Sequence, residues 1–143
     1  MPTMYQRILT TASNPDFCQL TYDETRQWLR ATWVGYVGPE YARDGATVGL
    51  EMLEQVHCRY LLNDNSRLQG PWFDSLDWLA TVWGPAASAA GLRYVAHVAQ
   101  PDTIVNAWIN PAAELLLTRF EIQVFEKEVE AAEWLSSCQK LAS

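Results

Sequence analysis

Basic charge is scarce in this chain. Lys127 and Lys140 are the only lysines, and eight scattered arginines stand against seventeen acidic residues, for a net charge of -7. A nucleic-acid binder needs clustered cations to displace counterions, so nucleic acid is excluded as a partner. The same balance argues against anionic membrane surfaces. Imidazole is limited to His57 and His97, and the three cysteines, Cys18, Cys58 and Cys138, lie far apart with no CxxC. That spacing fits neither a zinc site nor a disulfide framework; an odd count of dispersed thiols suits a reducing compartment. The seven glycines form neither GxGxxG nor GxxxxGK[ST], so no loop is built to cradle a phosphate. No metal or cofactor is expected. No apolar run approaches the length of a membrane span, and the opening MPTMYQRILTTASNPDF lacks the apolar core of a secretory signal. A cytoplasmic protein is expected.

What is present is the composition of one globular domain: 143 residues, 49% hydrophobic and 19% charged. Residues 1–16 read as an N-terminal arm, loose or lying on a sheet edge, that ends in the turn signal Ser13-Asn14-Pro15-Asp16; residues 17–143 read as the domain. FCQLTY (17–22) and TRQWLRATWVGY (25–36) alternate as strands, and the short turn between them makes the pair antiparallel. Trp28 and Trp33 then fall on opposite faces. After Gly38-Pro39 a helix is predicted over 39–56, with Tyr41, Gly45, Val48, Met52 and Val56 on one face and His57 closing it. CRYLLN (58–63) reads as an interior strand and NDNSRLQGP (63–71) as a loop. A helix over 74–90 is capped by Asp74 with Asp77, and Gly84-Pro85 should break or bend it. LRYVAHVA (92–99) is a strand, residues 102–110 are ambiguous, 111–119 are helical and FEIQVF (120–125) is the last strand. The closing helix over 126–138 has Val129, Ala132, Leu135 and Cys138 on one face and a solvated row of glutamates. This order predicts an α/β fold: a mixed, mostly parallel five-stranded sheet with an N-terminal β-hairpin and about four helices.

Three stretches resemble the single-domain bacterial STAS/SpoIIAA-like family, the fold group of the anti-sigma-factor antagonists, a branch likened to Sec14-type lipid binders. They are W-x-G at 33–35 ending the hairpin, YLLNDNSRL (60–68) and FEIQVFEKEVEAAEWL (120–135); the likeness covers about residues 17–138. It implies a non-enzymatic regulatory or interaction module. In the phosphoregulated members the strand-end position carries Asp-Ser-Ser/Thr-Gly with the first serine phosphorylated. Here Asp64 matches, Asn65 takes the acceptor place, Ser66 matches the second hydroxyl and Arg67 replaces the glycine. The usual phosphoacceptor is missing, and Ser66 is the remaining hydroxyl able to take the charge of a phosphate.

The candidate binding set is therefore Asp64, Asn65, Ser66 and Arg67, at the C-terminal end of a parallel strand, with Trp72 beside it. Plain turn chemistry accounts for the same polar residues. Seven tryptophans (28, 33, 72, 78, 83, 108 and 134) suit either a cavity for a small hydrophobic ligand or lipid, or ordinary core and dimer packing. His97, alone in a strand, reads as a hydrogen-bonded core residue, and Cys18 and Cys58 as buried and inert. No nucleophile–base pair is legible, so no catalytic residue is expected. Two functions remain: a regulatory module that binds a protein partner or a second copy of itself, or a binder of a small hydrophobic ligand in a Trp-lined pocket.

Overall fold

The computed structural model describes residues 5–69, 76–100 and 111–142. Its centre is a six-stranded sheet in the order β1-β2-β3-β4-β5-β6. The first three strands, β1 (Tyr5–Leu9), β2 (Cys18–Asp23) and β3 (Trp28–Tyr36), are antiparallel neighbours. From β3 the sheet is parallel through β4 (Tyr60–Gln69), β5 (Tyr94–Val98) and β6 (Glu121–Phe125). The mixed, mainly parallel α/β architecture is as expected, with a sixth strand where five were predicted. Tyr5–Leu9, read as part of an arm, is that edge strand. Its sequence hides it because an edge strand buries little: Gln6, Arg7 and Ile8 are exposed.

The hairpin turn is set by Asp23, whose Oδ1 accepts from the backbone N–H groups of Thr25 and Arg26 while Gln27 takes the left-handed conformation. Helix α1 (Pro39–Val56) starts with proline in its first turn and ends at His57, whose N–H caps Leu53. Its buried residues are Ala42, Gly45, Ala46, Gly49, Met52 and Leu53, whereas Tyr41 is exposed. The helix is thus turned by about one residue from the predicted face: Gly45 and Met52 keep their places, Tyr41 drops out, Leu53 comes in, and small residues line the N-terminal half. The reason is Trp33: a Cβ at Gly45 would lie 2.5 Å from its Cη2.

Helix α2 (Leu76–Trp78) continues through a π-helical segment (Leu79–Trp83) into α3 (Gly84–Ala90). Gly84-Pro85 therefore does not break the helix. The wider π turn absorbs the missing N–H and the ring. Gly91, with φ of 116°, closes α3. Helix α4 (Pro111–Arg119) leads into β6, and α5 (Glu128–Ala142) follows it. On α5 the buried residues are Ala131, Leu135 and Cys138, and Val129 is exposed, so this face too is shifted from the expected one.

Every parallel step moves the chain one strand further in the same direction. Crossovers of one hand must then share one face of the sheet. Accordingly α3 packs against both α1 and α4, while α5 packs on β4, β5 and β6 from the opposite side. The strand order never reverses. The described sheet therefore lacks the switch point at which a doubly wound sheet opens a crevice.

Candidate functional site

The stretch from Asn63 to Arg67 is not a loop. It lies inside β4, which runs on past Asp64, the last residue paired with β5, and stays paired with β3 as far as Gln69. The register jumps between Thr32↔Asp64 and Val34↔Arg67, which places one extra β4 residue in a bulge. The turn-forming residues Asn, Asp and Ser are used to make that bulge: the Asp64 Oδ1 accepts from the N–H of Ser66 at 2.9 Å. Gln100 Nε2 donates to the Ser66 carbonyl at 3.1 Å. Asp64 and Asn65 are buried, at 6% and 3% exposure, Ser66 is half-buried and Arg67 is exposed. The four candidates thus stay together in the chain but do not form one exposed polar corner. Trp72 lies outside the described residues.

Strand alternation sends neighbours in this stretch to opposite faces. On the α5 side, Asp64 meets Arg30. Arg30 makes a bidentate contact with the Glu128 carboxylate, its Nη1 on Oε1 and its Nη2 donating to Oε2 at 2.7 Å, and its Nη2 lies 3.7 Å from Asp64 Oδ2. Arg30 is therefore shared by two carboxylates, one on β4 and one on α5. Glu128, expected on a solvated glutamate row, is tied into the sheet instead.

On the α1 side lies a chain of neutral groups. Trp33 Nε1 donates to Asn63 Oδ1 at 2.9 Å. Asn63 Nδ2 lies 3.0 Å from His97 Nδ1 and 3.2 Å from Asn65 Oδ1. An indole N–H can only donate, so the Asn63 atom facing it must be its oxygen. Its amide nitrogen then faces both other groups. His97 Nδ1 must accept, which leaves the imidazole proton on Nε2, and Asn65 must present its oxygen. Burial pushes the His97 pKa down to about 4, against a smaller upward pull from the Asp64 charge. Asn65 Nδ2, nearly inaccessible, has no hydrogen-bond partner among the described residues. His97 is hydrogen-bonded, as its lone position in a strand suggests. Asn63, the hub of the chain, was not singled out by sequence. The usable signal was its place two residues before Asn65, which puts both on one face.

The thiols are protonated. Burial pushes Cys18 up to about 12 and raises Cys58 and Cys138 as well, so none is a ready nucleophile. Among the described residues no group of three His, Cys, Asp or Glu is placed to hold a metal ion. The described tryptophans lie in separate contacts. Trp33 packs near Phe17, and Trp83 packs near Phe120 and donates to the Ala46 carbonyl. Trp78 stacks under Arg43, while Trp28 lies under Arg26 and Trp134 beside Tyr94 and Phe125. Trp28 and Trp33 fall on opposite faces of β3, as predicted, and Trp108 lies outside the described residues. No helix of the described residues is long and apolar enough to cross a membrane.

No family model matches the chain, and no curated protein does. Among solved structures the chain is similar to an uncharacterized protein from the DUF3478 family with a SpoIIAA-like fold from Shewanella loihica PV-4. The sequence identity is 20%, the coverage 94% of this chain and 95% of that one, and the TM-score 0.49.

Proposed function

We propose that the protein is a non-enzymatic interaction module that meets a protein partner, or a second copy of itself, at the rim where β3 and β4 run on past β5. The observation that carries this reading is the placing of exposed Tyr36 and exposed Arg67 on adjacent strands of that rim, two register positions apart. Tyr36 is 66% exposed and sits opposite Gln69, and Arg67 sits opposite Val34. Tyrosine and arginine are the side chains that interfaces favour as anchors, and a tyrosine this exposed contributes little to the fold. Ser66 lies next to Arg67. A phosphate there would bring about -1.5 to -2 charges beside the Asp64 carboxylate and set the rim against an acidic partner. A tryptophan-lined pocket for an apolar ligand has less support, because the described tryptophans are spread over both faces of the sheet.

The test compares wild type with a Tyr36→Ala/Arg67→Glu double variant, by native mass measurement for self-association and by cross-linked capture for a partner. Both side chains are exposed, so the variant is expected to fold and to lose the complex. A complex that survives the double substitution, or a wild type that forms neither complex nor dimer, contradicts the proposal.

A further inference from the structure

The geometry points to a second, independent feature: we infer that Asn65 and His97 present N–H donors to the carbonyl oxygen of a small neutral molecule, where the β4 bulge lies beside the C-terminal end of β5. It does not depend on the interaction rim. The inference starts from Trp33. Because its indole can only donate, it fixes the direction of every hydrogen bond beyond it. Asn63 gives both its amide hydrogens away, one toward His97 Nδ1 and one toward Asn65 Oδ1. His97 Nδ1 is thereby used as an acceptor, and one of the two lone pairs of Asn65 Oδ1 is engaged. Each residue keeps a donor: Nδ2–H on Asn65 and Nε2–H on His97. Both residues are held on one Asn63 nitrogen, so these donors belong to adjacent groups on the same face of the sheet.

A buried amide left without a partner costs about 1–3 kcal/mol, and the chain tolerates this one at 3% exposure. A donor in such a position is open to an oxygen from outside, a water or a ligand. The charge around it decides which oxygen. Asp64, next to Asn65 in the chain, is a buried carboxylate, and Arg30 lies on the opposite face, held by Asp64 and Glu128. The net charge of the chain is -7. A carboxylate or phosphate would enter with no cation of this cluster to meet it, whereas a neutral carbonyl offers two lone pairs to two donors without that cost. A cation or a donor-only ligand would face N–H groups directly.

The experiment uses the full ¹⁵N-labelled chain and follows the Asn65 side-chain NH₂ pair during titration with three probes. N-methylpyrrolidone is an acceptor-only neutral carbonyl, acetate is an anionic acceptor and methylammonium is a cationic donor. The expected result is a saturable shift with N-methylpyrrolidone alone, with a dissociation constant on the order of millimolar for so small a molecule. Asn65→Asp keeps an acceptor for Asn63 but removes the outward donor. Observed through the Trp33 indole, that variant is expected to keep its fold and lose the response. No saturable shift in wild type would overturn the inference and leave Asn65 as a water-satisfied structural amide. Acetate binding at least as tightly would make the position an anion site, and methylammonium binding would refute the donor assignment.

Discussion

Asp64 and Asn65 are adjacent in the chain and nearly equally buried, yet they belong to two different kinds of polar structure. On the α5 side Asp64 joins an ionic group in which Arg30, itself partly exposed, bridges two carboxylates. On the α1 side Asn65 ends a neutral chain whose direction is dictated by one donor-only residue. The ionic group is forgiving: charge attracts over several ångströms, and the partial exposure of Arg30 and Glu128 lets water substitute for a lost partner. The neutral chain is directional and unforgiving, since each bond needs a particular atom in a particular place. The difference teaches why two neighbouring polar residues can have unlike energetic weights and unlike uses.

The largest expected effect comes from cutting the neutral chain at its hub. Asn63→Leu strands the Trp33 indole N–H, the His97 Nδ1 and the Asn65 Oδ1 together, and should cost roughly 3 kcal/mol or more in denaturant unfolding. A loss below about 1 kcal/mol would mean that the chain is not a cooperative unit.

The two sides should also separate by pH. His97 has a folded pKa lowered to about 4 from its usual 6.5, so the folded state favours the neutral ring. Its contribution is present above the unfolded pKa and is lost as pH falls from about 6.5 toward about 4, amounting to at most about 3 kcal/mol. Unfolding curves across that window should show stability falling toward acid, with a shallower fall in His97→Gln. Equal slopes in the two proteins would remove His97 as the cause.

A smaller effect is expected from Gly45→Ala. The new Cβ would meet the Trp33 ring at 2.5 Å and displace the first donor of the chain. Overpacking of about 1–3 kcal/mol should outweigh the gain of about 1 kcal/mol in helix propensity. A more stable variant would show that Trp33 moves freely. The smallest effect belongs to the ionic side: Arg30→Ala should cost about 1 kcal/mol and less in high salt, because the guanidinium is partly exposed. A salt-independent loss as large as that of Asn63→Leu would erase the contrast.

Much of this fold was legible in the residues. The Leu29, Ala31, Trp33 alternation, the short Asp23 turn and the apolar runs ending at Leu62 and Val98 give strands, their relative directions and the helices between them. Three things were hidden. Tyr5–Leu9 pairs on one side only and shows no apolar stripe. The helix faces of α1 and α5 hold the expected Gly45, Met52, Leu135 and Cys138, but Tyr41 and Val129, large and apolar, face outward while Ala42 and Ala131 are buried. Asn63–Arg67 has turn composition because it forms a bulge with local side-chain bonds, and composition alone cannot tell that from a loop. The polar stretch was therefore legible in the chain, but its form, a bulged strand, was not. Its hub, Asn63, emerges only when β3 and β4 are placed side by side and Trp33 comes within reach.

The central claim is the direction of the Trp33–Asn63–His97 bonds, and the ring nitrogens of His97 report it most directly. Long-range ¹H–¹⁵N correlation at neutral pH should find a neutral ring protonated on Nε2, with Nδ1 bare. A proton on Nδ1, whether in the other tautomer or in an imidazolium, would contradict the account.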